Sequence, residues 1–128
     1  MVLVVEDHAD SRDLLRRLLE SVGAEVLLAC DGLEAIGILE DRKPDIVLTD
    51  IRMPRMDGVQ LAQRIKNDLR WTRMPMIAVT AYNTPADLRK TLEAGFDSHL
   101  EKPINFDVLL TTVRRLVRRN RTRPRRPR

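Results

Sequence analysis

A length of 128 residues suits one domain, which can bury an ordinary core without metal or disulfide support. The single cysteine, Cys30, fits a reduced cytoplasmic setting, and no apolar run approaches the ~20 residues of a membrane-spanning helix, so we expect neither a membrane span nor a signal peptide. The net charge of +4 is unevenly distributed: residues 114–128 carry nine arginines and no acid, whereas the remaining chain has 14 Lys and Arg against 19 Asp and Glu, a net charge of −5.

Short apolar runs and segments of helical period alternate through the first half of the chain. The first run, Val-Leu-Val-Val, is continuous rather than alternating, which is typical of a strand covered on both faces. Acidic residues precede the helical segments and can serve as N-caps, while glycine stops the first of them. In chain order, the first half is predicted to hold a strand at 2–5, a helix from the cap Asp10 to Gly23, a strand at 25–29, a helix capped by Asp31 and a strand at 45–49.

The same alternation continues through the second half, after a loop that contains Pro and Gly. The last segment differs, because like charges and two prolines from position 120 onward favour disorder. We therefore predict a domain over 1–119 and a basic, disordered tail over 120–128. The elements predicted for the second half are a helix reaching Leu69, a strand at 76–79, a helix capped by Thr84 or Asn83 and closed by Gly95, a strand at 98–101 and a helix that opens at Asn105.

Five strands that alternate with five helices predict an α/β fold with right-handed crossovers, a doubly wound parallel sheet between two helical layers. In such folds the functional site lies at the carboxyl ends of the strands. The polar residues that close or follow the predicted strands should therefore converge on one edge of the sheet. They are Glu6, Asp7, Asp50, Thr80 and Lys102.

These residue types suit phosphoryl transfer assisted by a metal ion. Three carboxylates at one edge repel one another, so the cluster needs a cation, and oxygen ligands without His or Cys favour Mg²⁺, Mn²⁺ or Ca²⁺. Asp50 can attack phosphorus as a carboxylate, because an aspartyl phosphate is a known type of covalent intermediate. The metal ion, the Lys102 ammonium and the Thr80 hydroxyl can each take one oxygen of the transferred group.

Four stretches of the sequence match a known pattern: VVED at 4–7, LTDIRMPRMDG at 48–58, VTA at 79–81 and EKP at 101–103, of which the second is very specific. On these stretches the chain resembles the receiver domain of two-component response regulators, over about residues 1–118. The resemblance implies a flavodoxin-like (βα)5 fold and a cytoplasmic signalling domain, which takes a phosphoryl group from a histidine kinase or a phosphotransfer protein. Such a domain catalyses only its own phosphorylation and dephosphorylation. Both a single-domain regulator and a piece of a larger protein, such as a hybrid kinase, fit the length.

The resemblance also implies roles for single residues. Asp50 would be the phosphoacceptor, Lys102 would pair with the phosphoryl group, and the peptide bond before Pro103 would be cis. Arg52 and Tyr82 occupy positions that tune the lifetime of the phosphate. The implied ligands of Mg²⁺, or of Mn²⁺ in its place, are Asp7, Asp50, the backbone carbonyl of Arg52 and, through water, Glu6.

Two positions depart from the family pattern. Glu6 stands where Asp is frequent, and His99 stands where the family most often has Tyr or Phe. By resemblance, Thr80 and the residue at position 99 form a switch that couples the phosphate to a partner surface made by the fourth helix, the fifth strand and the fifth helix. Imidazole is smaller and more polar than phenol, so we expect His99 to fill the vacated space less well.

Two other interpretations remain open at this stage. The chain could be a degenerate receiver that acts as a constitutive interaction module, although the complete set of five site residues argues against this. It could also bind nucleic acid or another polyanion through its arginine-rich tail.

Overall fold

The structure, a computed structural model, describes residues 1–81 and 84–122. Five strands and five helices alternate along this part of the chain, which confirms the predicted fold class. The continuous apolar runs form the strands, and the amphipathic segments between them form the helices. In chain order the elements are β1 Val2–Val5, α1 Ala9–Glu20, β2 Val26–Ala29, α2 Gly32–Asp41, β3 Ile46–Asp50, α3 Gly58–Lys66, β4 Met76–Thr80, α4 Pro85–Ala94, β5 Ser98–Glu101 and α5 Phe106–Thr122.

All five strands lie in one parallel sheet in the order β2-β1-β3-β4-β5. The register places Val5 beside Thr49 and Asp50 beside Val79, so the strands end nearly level with one another. β3 and β4 each extend one residue further than predicted, to Asp50 and Thr80. The carboxyl ends of the three central strands therefore meet at one edge, where parallel sheets carry their sites.

A core covers each face of the sheet. Residues of β1, β3 and β4 alternate between the two faces, as the two-residue period of a strand requires. On one face Leu3 and Val47 pack among residues of α2, α3 and α4, and on the other Val4 and Leu48 pack among residues of α1 and α5. The central strands are buried on both sides, which explains their continuous apolar sequence.

The boundaries of α1 and α3 differ from those predicted. α1 begins at Ala9 with His8 as its N-cap residue, so Asp10 is not the cap. Asp10 lies in the first turn, where its negative charge interacts favourably with the positive end of the helix dipole. α3 ends at Lys66, so Leu69 lies beyond it and is 94% exposed. The Asp68 side chain accepts a hydrogen bond from the backbone N–H two residues later, and this local turn replaces the next helical turn.

The last helix is longer than predicted. α5 continues to Thr122, so the tail boundary predicted at position 120 falls inside the helix. Residues 123–128 lie outside the described residues, and the disorder predicted for them stays a prediction. The capping roles predicted for Asp31 and Thr84 are confirmed, since each side chain accepts a hydrogen bond from the backbone N–H three residues on.

Candidate functional site

Buried polar side chains meet at the carboxyl ends of β1, β3 and β4. Glu6 follows β1 directly, whereas Asp50 and Thr80 are the last residues of their strands. Glu6 and Thr80 are each 2% exposed and Asp50 is 8% exposed. Burying two carboxylates costs free energy even when a cation pairs with them, so this edge of the sheet is a candidate functional site.

The ammonium group of Lys102 crosses the ends of these strands to reach the carboxylates. Its Nζ lies 2.9 Å from Asp50 Oδ2 and 3.4 Å from Glu6 Oε1. Burial would lower the pKa of Lys102, but the hydrogen bond and charge of Asp50, followed by those of Glu6, outweigh it and raise the pKa. Lys102 N donates to Thr80 O at 2.9 Å, and the Lys102–Pro103 bond is cis, as the family resemblance implied.

The carboxylates crowd one another despite this cation. Glu6, Asp7, His8 and Asp50 each offer one ligand atom, and these atoms all lie within 4.8 Å of one another. Burial, the hydrogen bond to Asp50 and the charge of Asp50 raise the pKa of Glu6 from 4.5 to about 7, against the opposing effect of Lys102. One ammonium therefore does not neutralise the cluster, and a divalent cation fits its remaining negative charge.

Asp7 supplies a second sign that the cluster suits a cation. Its Oδ1 atom is buried and accepts no hydrogen bond in the described part of the chain, although His8 Nδ1 lies 3.3 Å away. His8 also approaches Glu6 Oε1 at 3.5 Å while its side chain is 74% exposed, so it stands at the rim of the cluster. From the sequence, the position of His8 directly after Glu6 and Asp7 predicts an exposed loop residue at the rim of the site, and the structure agrees.

The loop from β3 to α3 is fixed at the end nearest Asp50. Arg52 N donates to Asp50 Oδ1 at 3.3 Å, and Gly58 N donates to Ile51 O at 2.8 Å. A Cβ atom at Gly58 would lie 2.2 Å from the backbone oxygen of Asp50, so only glycine allows this approach. Asp57 then caps α3 in a capping box with Gln60.

The middle of the same loop is held by an ion pair between the exposed Arg55 and the buried Asp31, which the sequence did not reveal. Arg55 adopts a left-handed backbone conformation with φ of 66°, and its Nε donates to Asp31 Oδ2 at 2.6 Å. Asp31, 2% exposed, also caps α2 through Glu34 N. Gly32 N donates to Met56 O at 3.1 Å, which ties the loop to α2 a second time.

Asp31 keeps its charge in this position. Burial would raise the pKa of the Asp31 carboxyl, but the backbone hydrogen bond from Glu34 and the guanidinium of Arg55 outweigh it and lower the pKa. The sequence predicted Asp31 only as a cap, since nothing in its spacing to Arg55 signals that the two side chains meet.

The residues predicted to form a switch lie on neighbouring strands. Thr80 lines a small cavity of about 40 Å³ together with Arg52 and with Asp87, Lys90 and Thr91 of α4. His99 pairs in register with Ala78 of β4, and its Nε2 atom is buried with no hydrogen-bond partner among the described residues. Tyr82, predicted to tune the site, lies outside the described residues.

Comparisons with known proteins agree with this architecture. A sequence model described as the response regulator receiver domain matches residues 2–114. The sensor histidine kinase RcsC of Salmonella typhimurium is 43% identical over 113 residues, which are 88% of this chain but 12% of the kinase. The chain thus spans a small part of that relative's length.

None of the described helices is long and apolar enough to span a membrane.

Solved structures give the same result. The signal receiver domain of a signal transduction histidine kinase from Syntrophus aciditrophicus is 30% identical, with a TM-score of 0.89 over 98% of this chain and 96% of that one. The receiver domain of a sensor histidine kinase from Pseudomonas aeruginosa is 31% identical, with a TM-score of 0.85 over 91% of this chain and 95% of that one, and carries a magnesium ion coordinated in its active site cleft.

Proposed function

This chain belongs to the response regulator receiver domain family, a two-component signalling module found in sensor kinases and response regulators, and on that premise we propose that Asp50 accepts a phosphoryl group. The observation that carries the proposal is the contact between Asp50 Oδ2 and Lys102 Nζ at 2.9 Å within the carboxylate cluster. The donor is a phosphohistidine of a histidine kinase or of a histidine phosphotransfer protein.

In the proposed reaction, a carboxylate oxygen of Asp50 attacks phosphorus while the bond from phosphorus to the histidine nitrogen breaks. The nitrogen keeps the electron pair of that bond, and Asp50 becomes an aspartyl phosphate. Lys102 neutralises charge on one phosphoryl oxygen, and the Thr80 hydroxyl, at the neighbouring strand end, donates to another. Hydrolysis by water later releases inorganic phosphate, so the domain catalyses only its own phosphorylation and dephosphorylation.

A magnesium ion completes the proposed site, and Mn²⁺ can take its place. Asp7, Asp50 and the backbone carbonyl of Arg52 would hold it directly, with Glu6 acting through water. When bound, the ion supplies positive charge for the phosphoryl oxygens. The buried Asp7 Oδ1 without a hydrogen bond and the raised pKa of Glu6 support this assignment, as does the magnesium ion of the Pseudomonas aeruginosa domain.

The phosphate is proposed to act on a partner surface made by α4, β5 and α5. Thr80 and His99 lie on the adjacent strands β4 and β5, at the edge of the sheet nearest α4. Drawing the Thr80 hydroxyl toward the phosphate would leave space that His99 can enter. Arg52 and Tyr82, two residues beyond Asp50 and Thr80, are proposed to flank the path of the attacking water and so set the lifetime of the phosphate.

The test is labelling by a small phosphodonor in the presence of Mg²⁺. Asp50→Asn should abolish labelling, because the amide is not a nucleophile for this reaction. Glu34→Gln is the matched control, since it also removes one acidic charge but lies on α2. Label that persists on another residue of the Asp50→Asn protein would contradict the assignment.

Removal of the metal separates the active receiver from a degenerate one. Excess chelator should suppress labelling of the wild-type protein as strongly as Asp50→Asn, because the carboxylate cluster repels phosphate when it is not neutralised. Full labelling in chelator would reject the metal role. A wild-type protein that takes no label with Mg²⁺ present would favour the constitutive interaction module instead.

A further inference from the structure

Two adjoining cavities lie at the amino-terminal end of the sheet, opposite to the carboxylate cluster. The first, about 470 Å³, is lined by the start of β1 and β3 and by α5, and the second, about 330 Å³, by the segments before β3 and β4. Asp45 lines both, so we treat the two adjoining cavities together as one groove. We call it the basal groove.

Of the 19 described residues that line the basal groove, seven are cationic and nine are apolar. Its only acidic lining residue among the described ones is Asp45. Asp45 is already neutralised, because the amino group of Met1 lies 2.7 Å away and Arg121 Nη2 lies 3.5 Å away. The seven cationic side chains that line the groove are Arg42, Lys43, Arg70, Arg73, Arg114, Arg118 and Arg121.

Part of this positive charge is used within the domain. Arg42 pairs with Glu25 at 3.6 Å, and Arg70 pairs with Glu40 at 2.7 Å and with Asp68 at 2.8 Å. Other lining cations remain for an external anion. Lys43, Arg114 and Arg118 are exposed and form no ion pair with any residue in the described ranges.

The arginines of α5 form a regular stripe along one wall. Arg114, Arg118 and Arg121 follow one another at helical spacing, while Leu109 and Leu116 of the same helix are buried in the core. With a rise of about 1.5 Å per residue, the stripe is about 10 Å long. Six of the seven lining cations are arginines, whose planar fork binds phosphate oxygens in pairs.

We propose that the basal groove binds the phosphate backbone of a nucleic acid duplex. A backbone is a ridge that can enter a concave groove, whereas a lipid bilayer presents a flat surface. Of the large, strongly exposed apolar side chains in the described part of the chain, only Leu69 lines the groove, which leaves little for insertion among lipid chains. In the sequence, four more arginines follow Thr122. The groove does not include Asp50, so this proposal stands apart from the phosphoryl site.

The test measures binding of the full chain to a fluorescein-labelled DNA duplex of about 20 base pairs, by anisotropy between about 50 and 200 mM salt. The double variant Arg114→Gln/Arg118→Gln should weaken binding roughly tenfold and lower the slope of log affinity against log salt by about 2, since each lost phosphate contact removes about 0.9. Arg64→Gln/Arg89→Gln, on α3 and α4, removes the same charge outside the groove and should leave the slope nearly unchanged.

Four outcomes would overturn the proposal. The first is that the wild-type chain does not bind the duplex at the lowest salt, and the second is that both double variants weaken binding equally. The third is that the chain binds vesicles of equal phosphatidylserine and phosphatidylcholine more tightly than DNA. The fourth is that binding is lost only when residues 123–128 are deleted. The last would assign the contact to the tail rather than to the groove. Circular dichroism of each variant checks that the fold is intact.

Discussion

The raised pKa of Glu6 makes a quantitative prediction about stability in the absence of metal. The carboxyl group titrates near 4.5 in an unfolded chain and at about 7 in the folded domain, because burial and Asp50 disfavour its charged form. The folded state therefore holds this proton more tightly than the unfolded state. The resulting stabilisation is fully present below pH 4.5 and is lost as the pH rises through 7.

The magnitude follows from the size of the shift. One pKa unit corresponds to about 1.4 kcal/mol, so the shift of Glu6 corresponds to about 3 kcal/mol between acid and mildly alkaline pH. Glu6→Gln resembles the protonated side chain at every pH. In chelator, the variant should match the wild type at about pH 4.5 and exceed its free energy of unfolding by up to about 3 kcal/mol at pH 8.

Urea denaturation provides the assay. Trp71 is the single tryptophan and is 5% exposed, so its fluorescence should report unfolding of the core. Glu93→Gln, which removes an exposed carboxylate on α4, is the control. Its free energy of unfolding plotted against pH should run parallel to that of the wild type. Saturating Mg²⁺ should narrow the difference in unfolding free energy between wild type and Glu6→Gln, because the wild type keeps the Glu6 carboxylate and so should bind the ion more tightly in its folded state. Parallel curves for wild type and Glu6→Gln in chelator would refute the reasoning.

Three further predictions concern the elements that support the site. Asp31→Ala should lower the free energy of unfolding, measured by urea denaturation, by about 1–2 kcal/mol, because it removes the cap of α2 and the ion pair that holds Arg55 of the neighbouring loop. A variant as stable as the wild type would show that these contacts have no energetic role. Gly58→Ala should destabilise the domain and slow phosphorylation, because the added Cβ would lie 2.2 Å from backbone. Gly37→Ala is the control and should be neutral or stabilising, because its Cβ would have nothing within 4 Å. Equal melting temperatures of the two variants would contradict this. Thr80→Ala should abolish the amide NMR shifts that a phosphoryl mimic causes at 98–101, including that of His99; shifts that persist would mean that the coupling does not pass through this pair.

Local features of the sequence determined the elements and the residues of the site. The continuous apolar runs predicted strands buried on both faces, and the alternation of strands with helices predicted a parallel sheet. Because parallel strands present their carboxyl ends at one edge, position alone selected Glu6, Asp50 and Thr80. The predicted helix ends were less reliable, as Asp10 and Leu69 illustrate, because side-chain spacing does not reveal where a local turn replaces the helix.

Only the tertiary structure decided how these residues affect one another. Lys102 meets Glu6 across 96 positions and Asp50 across 52, and Arg55 meets Asp31 across 24, so no local pattern encodes the contacts. The pKa of Glu6 depends on burial and on the distance to a charge carried by another strand, which the sheet order and register set. The basal groove likewise brings cations of α5 beside those of the segments before β3 and β4. Periodicity and capping act within a few residues of the chain, whereas electrostatics acts through space, and the fold alone determines which charges become neighbours.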